Sequence, residues 1–331
     1  MTLHENIQEV RPMLLKANAT MSNNGLLHIG IALDTSANYE SVQRVYSPLG
    51  KCPTLTAVCG GFQEAKVQLS SSTYRRLYAI EYERAMGLPD NYTKGISRSR
   101  RYKAIGNGWD VKTLTAIFKQ ANFDKDITVV SLFDGIACGK VALDKVTSVA
   151  NYFSSEVDPY PAKVTKLNHA DVIELGSVLN WEAWDIDWSS VDLLIGGSPC
   201  QGFSRAGTLY GTKAQLQSGE VVIVDTLRRY EQLKQEGAVF LSQSFLFWEY
   251  VRVLKHIQSK NPLLKFLLEN VVMDANYALM FNRELGVEYV SINSNKYGPQ
   301  FRERFYWFNW DFCAEQNIHS SNLQTILWEN S

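Results

Sequence analysis

No cysteine pair of the C-x-x-C type occurs, and the five cysteines (Cys52, Cys59, Cys138, Cys200, Cys313) have no histidine at ligand spacing. An odd, scattered set of this kind excludes a disulfide framework and a zinc site, so no metal is expected. No apolar run approaches the ~20 residues that cross a bilayer. The opening MTLHENIQEV lacks the basic start and apolar stretch of a secretory signal. The expectation is a cytoplasmic protein with no membrane partner. Charge of neither sign dominates: 33 Lys and Arg stand against 34 Asp and Glu, a formal net charge of −1. That balance excludes coating nucleic acid through bulk charge, but not a local basic groove. Internal repeats and low-complexity segments are also missing.

What is present is an alternation. From residue 127 onward, short apolar or β-branched runs (ITVVSLF, VANYFSSE, VDLLIGG, LLKFLLEN, EYVSINS) alternate with helix-like stretches such as PYPAKVTKLN and SFLFWEYVRVLKHIQ. This is the pattern of a parallel sheet wound with helices. With 331 residues the chain has room for one large α/β domain and a smaller one, with no need of oligomerisation, and a monomer is expected. Before residue 120 the texture changes to short strands and turns (GLLHIGIAL, RVYSPLGKCPTLTAVCGG) followed by two helical stretches (RLYAIEYERAMG, VKTLTAIFKQA). The polar stretch FKQANFDKDI (118–127) reads as the internal joint. Residues 207–240 form a polar insertion too long for an ordinary connection, the kind of loop that is usually functional or mobile.

The run VVSLFDGIACGKVALDKV reads as strand, glycine-bearing turn and helix, with the turn at Asp134 to Gly139. Glycines there let backbone approach a ligand, and the helix start offers free N–H groups. Glu156 ends the next strand at the position where a dinucleotide fold holds ribose hydroxyls. These residues point to an adenosine-containing cofactor without separating NAD from S-adenosylmethionine; a tight turn of no special purpose is the plain alternative. Cys138, inside this turn, reads as a small packing residue.

The third strand delivers Pro199 and Cys200 to the same carboxyl edge, on the lip of the strand instead of the core where free thiols usually lie. A Pro-Cys pair alone is more often structural than catalytic. The next strand brings Glu269 and Asn270 to that edge, and GPQFRERFYW follows with Arg302 and Arg304. A thiol, a carboxyl group and a guanidinium beside a cofactor suit covalent addition to a planar heterocycle whose developing charge must be protonated or bound.

The motifs FDGIACG, GGSPCQGFS, ENV and QFRER, in this order, resemble those of the DNA cytosine-5 methyltransferases. RRLYAIEYERAMGLP (75–89), AIGNGWDV (104–111) and RVYSPLGKCPTLTA (44–57) resemble further signatures of that family, so the resemblance covers most of the chain. It implies an S-adenosylmethionine-dependent, Rossmann-like doubly wound sheet with a second, smaller DNA-recognition domain. It further implies a site-selective DNA cytosine-5 methyltransferase in which Cys200 adds to C6 of a flipped cytosine, Glu269 serves N3 and Arg304 holds O2, with Arg302 and Asn270 beside them. S-adenosylmethionine would lie against Phe133, Asp134, Gly135, Ile136, Gly139, Glu156, Val157 and Pro199, with Asn107 reaching in. Double-stranded DNA would be met by Gln201, Ser204, Arg98, Arg100, Arg101 and Lys103; for the basic four, the plain alternative is a solvated face. The resemblance allows a cognate restriction endonuclease as partner, in a bacterial or phage-infected cell. Relatives that methylate transfer RNA supply the alternative substrate.

The order of motifs departs from the family. The RRLYAIEYERAMGLP and GN segments, C-terminal in most members, here precede the cofactor turn, so the chain reads as circularly permuted. The expected division is 1–75 with 308–331 on the target-recognition side, 76–117 packing on the catalytic domain, and 118–307 as the cofactor-binding and catalytic domain carrying the insertion 207–240. Met1 and Ser331 should lie near the DNA-facing smaller domain. Little chain is left for target recognition, so either recognition is short and relaxed or the insertion helps to read DNA, the second being the preferred expectation. ELGSVLN offers Ser177 where the family has Asp, and LSQSFLFWEY lacks the family's acidic and basic pair.

Overall fold

Ile127–Leu132 is buried at every position, the signature of a strand covered on both faces. In the computed structural model, which describes residues 10–16, 19–33, 40–57, 64–199, 202–203 and 213–328, this strand is the centre of a seven-stranded sheet. The chain divides into two units: Met1–Ala116 with Asn293–Arg302 and Ala314–Ser331, and Ile117–Ile292 with Glu303–Cys313.

The first unit begins with β1 (Arg11–Leu15), β2 (His28–Ala32), α1 (Glu40–Gln43), β3 (Arg44–Tyr46), β4 (Lys66–Gln68) and β5 (Thr73–Arg76), whose strands close into a five-stranded barrel. Met13, Ile29, Ala32, Val45 and Tyr74 fill it. The helices α2 (Ala79–Ala85), α3 (Arg98–Asn107) and α4 (Val111–Lys119) follow, the unit boundary falling inside α4. Residues 76–116 fall in the same unit as the barrel. Arg75 pairs both nitrogens with Glu81 at 2.8 and 2.7 Å, Tyr82 Oη accepts from Ala65 N, and Glu81 also accepts from Trp328 N. Lys51 Nζ donates to the carbonyls of Gly298 (2.9 Å), His319 (2.5 Å) and Ser321 (2.5 Å), fastening the late segments to the early one. Met1 and Ser331 lie outside the described residues.

The second unit contains β6 (Ile127–Leu132), α5 (Cys138–Leu143), β7 (Val149–Ser155), α6 (Pro159–Asn168), β8 (Val172–Glu174) and β9 (Leu193–Gly196). The insertion then supplies β10 (Lys213–Gln215), β11 (Val221–Ile223), α7 (Leu227–Gln235) and β12 (Val239–Phe240). After it come α8 (Leu246–Lys260), β13 (Lys265–Val271), α9 (Ala275–Leu285), β14 (Val290–Asn293) and β15 (Glu303–Phe308). The strand order of the large sheet is β14-β15-β13-β9-β6-β7-β8, parallel where β6, β7, β8, β9 and β13 pair and antiparallel between β13 and β15. Order reverses between β6 and β9, which puts a crevice outside their carboxyl ends, where ligands bind in such sheets. The expected doubly wound α/β fold is the one observed. Phe247, Trp248, Phe266, Phe281 and Trp307 dominate its core, with the Phe247 and Phe281 rings stacked at 3.7 Å. Gly196 is required, because a Cβ there would stand 2.8 Å from the Tyr250 ring.

Three departures from the sequence expectations have physical causes. The insertion is not structureless: β10, β11 and β12 form a three-stranded sheet accompanied by α7. Ala214, Val224, Tyr230 and Leu233 give it a footing in the core, and the fully buried Glu249 of α8 accepts from Tyr230 Oη and Lys234 Nζ. Helix α9 was hidden by its mixed composition, yet it has Asp274 as N-cap and Gly286 at φ 74° as C-cap. Residues 303–313, part of them assigned to the recognition side, belong to the second unit, with Phe308 and Trp310 stacked at 5.0 Å and Trp310 Nε1 donating to Ile117 O.

Candidate active site

The turn after β6 is built for left-handed backbone: Phe133, Gly135 and Ala137 have φ of 58°, 61° and 57°. Such conformations cost free energy in Phe and Ala and persist only when surroundings fix them. Asp134 does the fixing. Its buried carboxylate accepts from Ser131 Oγ (2.6 Å), Tyr152 Oη (2.7 Å) and Ser154 Oγ (2.7 Å). Burial pushes its pKa up, against the lowering by those hydroxyls. The Asp134 side chain therefore anchors the turn from inside and does not face the ligand crevice as a cofactor-binding carboxylate would, a correction to the role its place in the motif implies.

Glu156 closes the turn from the next strand. Its Oε2 accepts from Gly135 N (2.9 Å) and its Oε1 from Val157 N (2.8 Å) and Asp158 N (2.7 Å). Burial raises its pKa, partly offset by these amides. A carboxylate offers about four acceptor positions, so one remains for a hydroxyl. Around it the surface is open: nothing lies within 4 Å of the place a Cβ would take on Gly135 or Gly176. Val157 is 72% exposed and Leu179 48%, two aliphatic faces at the carboxyl edge. An acceptor for ribose hydroxyls, apolar faces for a base and backbone without side chains suit S-adenosylmethionine. Ser177, in place of the family's Asp, accepts from Leu179 N as a helix cap. Ile136 and Cys138 are buried, and Gly139 opens α5 behind the turn.

At the end of β9 and β13 the second cluster forms. Asn270 Nδ2 donates to Ser198 O (3.1 Å) and Ser198 Oγ (3.2 Å), tying the residue two before Cys200 to β13. Its neighbour Glu269 is met by Arg304 from β15, Nε to Oε1 at 3.2 Å. Pro199 is half-buried beside Ser198. Cys200, Gln201 and Ser204, the sequence candidates for nucleophile and DNA contact, lie outside the described residues. On the far side Gly202 N donates to Ser244 Oγ, and Phe203 is fully buried.

Two sequence candidates have other tasks. Arg302 is not a reacting residue: its guanidinium, 4% exposed, donates to Leu55 O (2.9 Å), Gly106 O (3.1 Å) and Gly108 O (2.9 Å). It thereby holds both neighbours of Asn107, which ends α3 with its side chain exposed. Arg101 is not a phosphate contact either. It is buried, donating to Thr93 Oγ1 (2.9 Å) and to the fully buried Glu83 (3.0 Å). Helical periodicity in RSRRYK would have put Arg101 and Ala104–Ile105 on the covered face. Arg98 is exposed and lies over the Tyr102 ring at 5.8 Å; Arg100 and Lys103 are half-buried. Sequence reasoning also missed Ser198 and Ser244, which only the folded chain reveals as supports. Among the described residues no cluster could hold a metal ion and no helix is long and apolar enough to cross a membrane.

The model of the family described as C-5 cytosine-specific DNA methylase matches residues 4–122 and 127–325. The DNA (cytosine-5)-methyltransferase DRM2 of Oryza sativa subsp. japonica is 28% identical over 193 residues, covering 54% of this chain and 28% of that one. The type II methyltransferase M1.ScrFI of Lactococcus lactis subsp. cremoris is 25% identical over 262 residues, covering 75% of this chain and 59% of the relative. The type II methyltransferase M.MspI of Moraxella sp is 28% identical over 208 residues, 60% of this chain and 41% of the relative. The chain thus spans a little over half, or less, of the length of these relatives.

Proposed function

The chain belongs to the C-5 cytosine-specific DNA methylase family, and on that premise we propose that it methylates cytosine at C5 in double-stranded DNA at selected sites, using S-adenosylmethionine. The observation that carries this reading is the Glu269–Arg304 pair at 3.2 Å, standing on adjacent strands next to the Asn270–Ser198 tie that leads to Cys200.

The chemistry follows from those groups. A cytosine turned out of its stack presents C6 to Cys200, whose thiolate is the competent nucleophile. As the sulfur bonds to C6, electron density moves into the ring; Glu269 hydrogen-bonds to or protonates N3 and Arg304 donates to O2, so charge is met as it develops. S-adenosylmethionine supplies the methyl group, activated on a sulfonium. C5 takes that group with the thioether S-adenosylhomocysteine as leaving group, a base removes the C5 proton, Cys200 leaves with its bond electrons, and any proton taken up by N3 returns to Glu269, restoring the aromatic ring and the enzyme. Glu156, Gly135 and Val157 hold the cofactor, with Phe133, Ile136, Gly139 and Pro199 shaping its surroundings.

Arg98, Arg100 and Lys103 contact phosphates, and the folded insertion contributes to site preference. The chain is a circular permutation of the usual motif order, a reading that rests on RRLYAIEYERAMGLP and AIGNGWDV standing ahead of the cofactor turn in the sequence. It acts as a monomer in a bacterial or phage-infected cell, with or without a cognate restriction endonuclease. The family's description as a DNA methylase and the relative named DNA (cytosine-5)-methyltransferase favour this substrate over RNA.

The test is expression in a bacterial host lacking cytosine methylation, followed by bisulfite sequencing of plasmid and genome with Cys200→Ala as control. Protected cytosines in a fixed context, absent in the control, are expected. No protection by soluble protein that binds S-adenosylmethionine would overturn the reading. Deleting 213–240 while the protected context stays the same would remove the insertion from it.

A further inference from the structure

Resting on the reading of Cys200 as nucleophile, we propose that Ser244 is a positioning residue for the segment that bears Cys200. The two residues 200 and 201 are bracketed by anchored neighbours. On one side Ser198 is held by Asn270 at 3.1 and 3.2 Å. On the other, Gly202 gives its amide proton to Ser244 Oγ at 2.9 Å, and Phe203 sits edge-on between Tyr277 and Phe281, with ring centres 5.2 and 5.1 Å away. Ser244 is fully buried, and its own N–H is received by Ser242 Oγ at 3.3 Å. The acceptor is thereby fixed to the root of α8, an element deep in the core.

This bond does more than finish a helix end. Gly202 and Ser244 are the two feet of the insertion, separated by 42 positions in the chain and joined by one hydrogen bond. The chain between them carries β10, β11, α7 and β12. A buried amide whose acceptor is removed bears its full desolvation cost in the closed arrangement, so the segment shifts toward arrangements in which that N–H meets water. The effect is expected at Cys200, two positions before Gly202 in the chain. The segment LSQSFLFWEY, which lacks the family's charged pair, contributes its second serine to this task.

The experiment compares full-length wild type, Ser244→Ala and Ser244→Thr. One arm measures single-turnover methyl transfer from labelled S-adenosylmethionine to unmethylated plasmid DNA, with KM for plasmid and Kd for the cofactor. The other measures alkylation of Cys200 by iodoacetamide without DNA, followed on its peptide by mass spectrometry. In Ser244→Ala, transfer slows by about tenfold or more while KM and Kd stay within about twofold, and Cys200 alkylation rises severalfold. Ser244→Thr, which keeps the hydroxyl, restores both. Equal Cys200 alkylation in wild type and Ser244→Ala overturns the proposal, as does a threonine variant no better than alanine, or a rate loss matched by loss of cofactor affinity. If wild type itself methylates no cytosine, the functional reading falls by itself and the alkylation arm still decides for or against Ser244.

Discussion

Arg304 meets Glu269 from the neighbouring antiparallel strand, its Nε 3.2 Å from Oε1, although in register Arg304 faces Val271 and Glu269 faces Tyr306. The pair is reached diagonally across the ladder, which sets a guanidinium beside a carboxyl group at the open end of β13. Glu269→Gln is expected to lower kcat by about 10²–10⁴ and Arg304→Ala by about 10²–10³. Titration calorimetry should find cofactor affinity intact in both. A Glu269→Gln protein with wild-type turnover would remove Glu269 from the chemistry.

Arg302, two residues earlier, gives the opposite outcome. Its loss strips three buried carbonyls of their donor, so Arg302→Ala should cost at least about 3 kcal/mol of stability in urea unfolding. The Arg302 and Arg304 alanine variants separate on two axes, stability for one and turnover for the other. Unchanged stability in Arg302→Ala would contradict the structural role.

The basic cluster of α3 divides in the same way. Arg101→Met leaves Glu83 buried without its ionic partner and should cost about 3–5 kcal/mol. Replacing Arg98, Arg100 or Lys103 by Gln should leave stability near wild type and weaken binding to plasmid DNA of any sequence. The dependence of affinity on salt should fall by about one unit of slope for each phosphate that the variant no longer neutralises. Fluorescence anisotropy across a salt series checks both parts.

Burial pushes the Tyr102 phenol up to about 12, against a lowering by Arg98. In the unfolded chain a phenol titrates near ~10. Between these values the unfolded chain has given up a proton that the folded chain keeps. The contribution to stability is therefore whole below about pH 10 and is lost as pH rises from there through about 12. Unfolding free energies at about pH 9 and about pH 11.5 should fall less steeply in Tyr102→Phe than in wild type; equal falls would contradict the assignment.

The sheet was legible because its strands are continuous apolar runs: ITVVSL and LLIG are buried at every position. The proposed chemistry was read from Glu269 and Asn270 at the end of KFLLENV and from the Pro-Cys pair that follows LLIG in the sequence. Arg302 and Arg101 were not, because a charged side chain looks the same in sequence whether it meets solvent or three carbonyls; burial is decided by partners far along the chain, Leu55 for one and Glu83 for the other. Asp134 misleads for a related reason. Its three hydroxyl donors sit on two different strands, and no spacing in the turn announces them. The insertion hid its fold because α7 has only Tyr230 and Leu233 to bury.

The ammonium of Lys51 waits for acceptors that lie 268 and 270 positions further along the chain. Synthesis runs from Lys51 towards residue 321, so the carbonyl cradle of Gly298, His319 and Ser321 is completed only after the segments of the second unit up to Cys313 have been made. A stop just before residue 319 would therefore be felt at Lys51, which loses two of its three carbonyls to a break some 270 positions away.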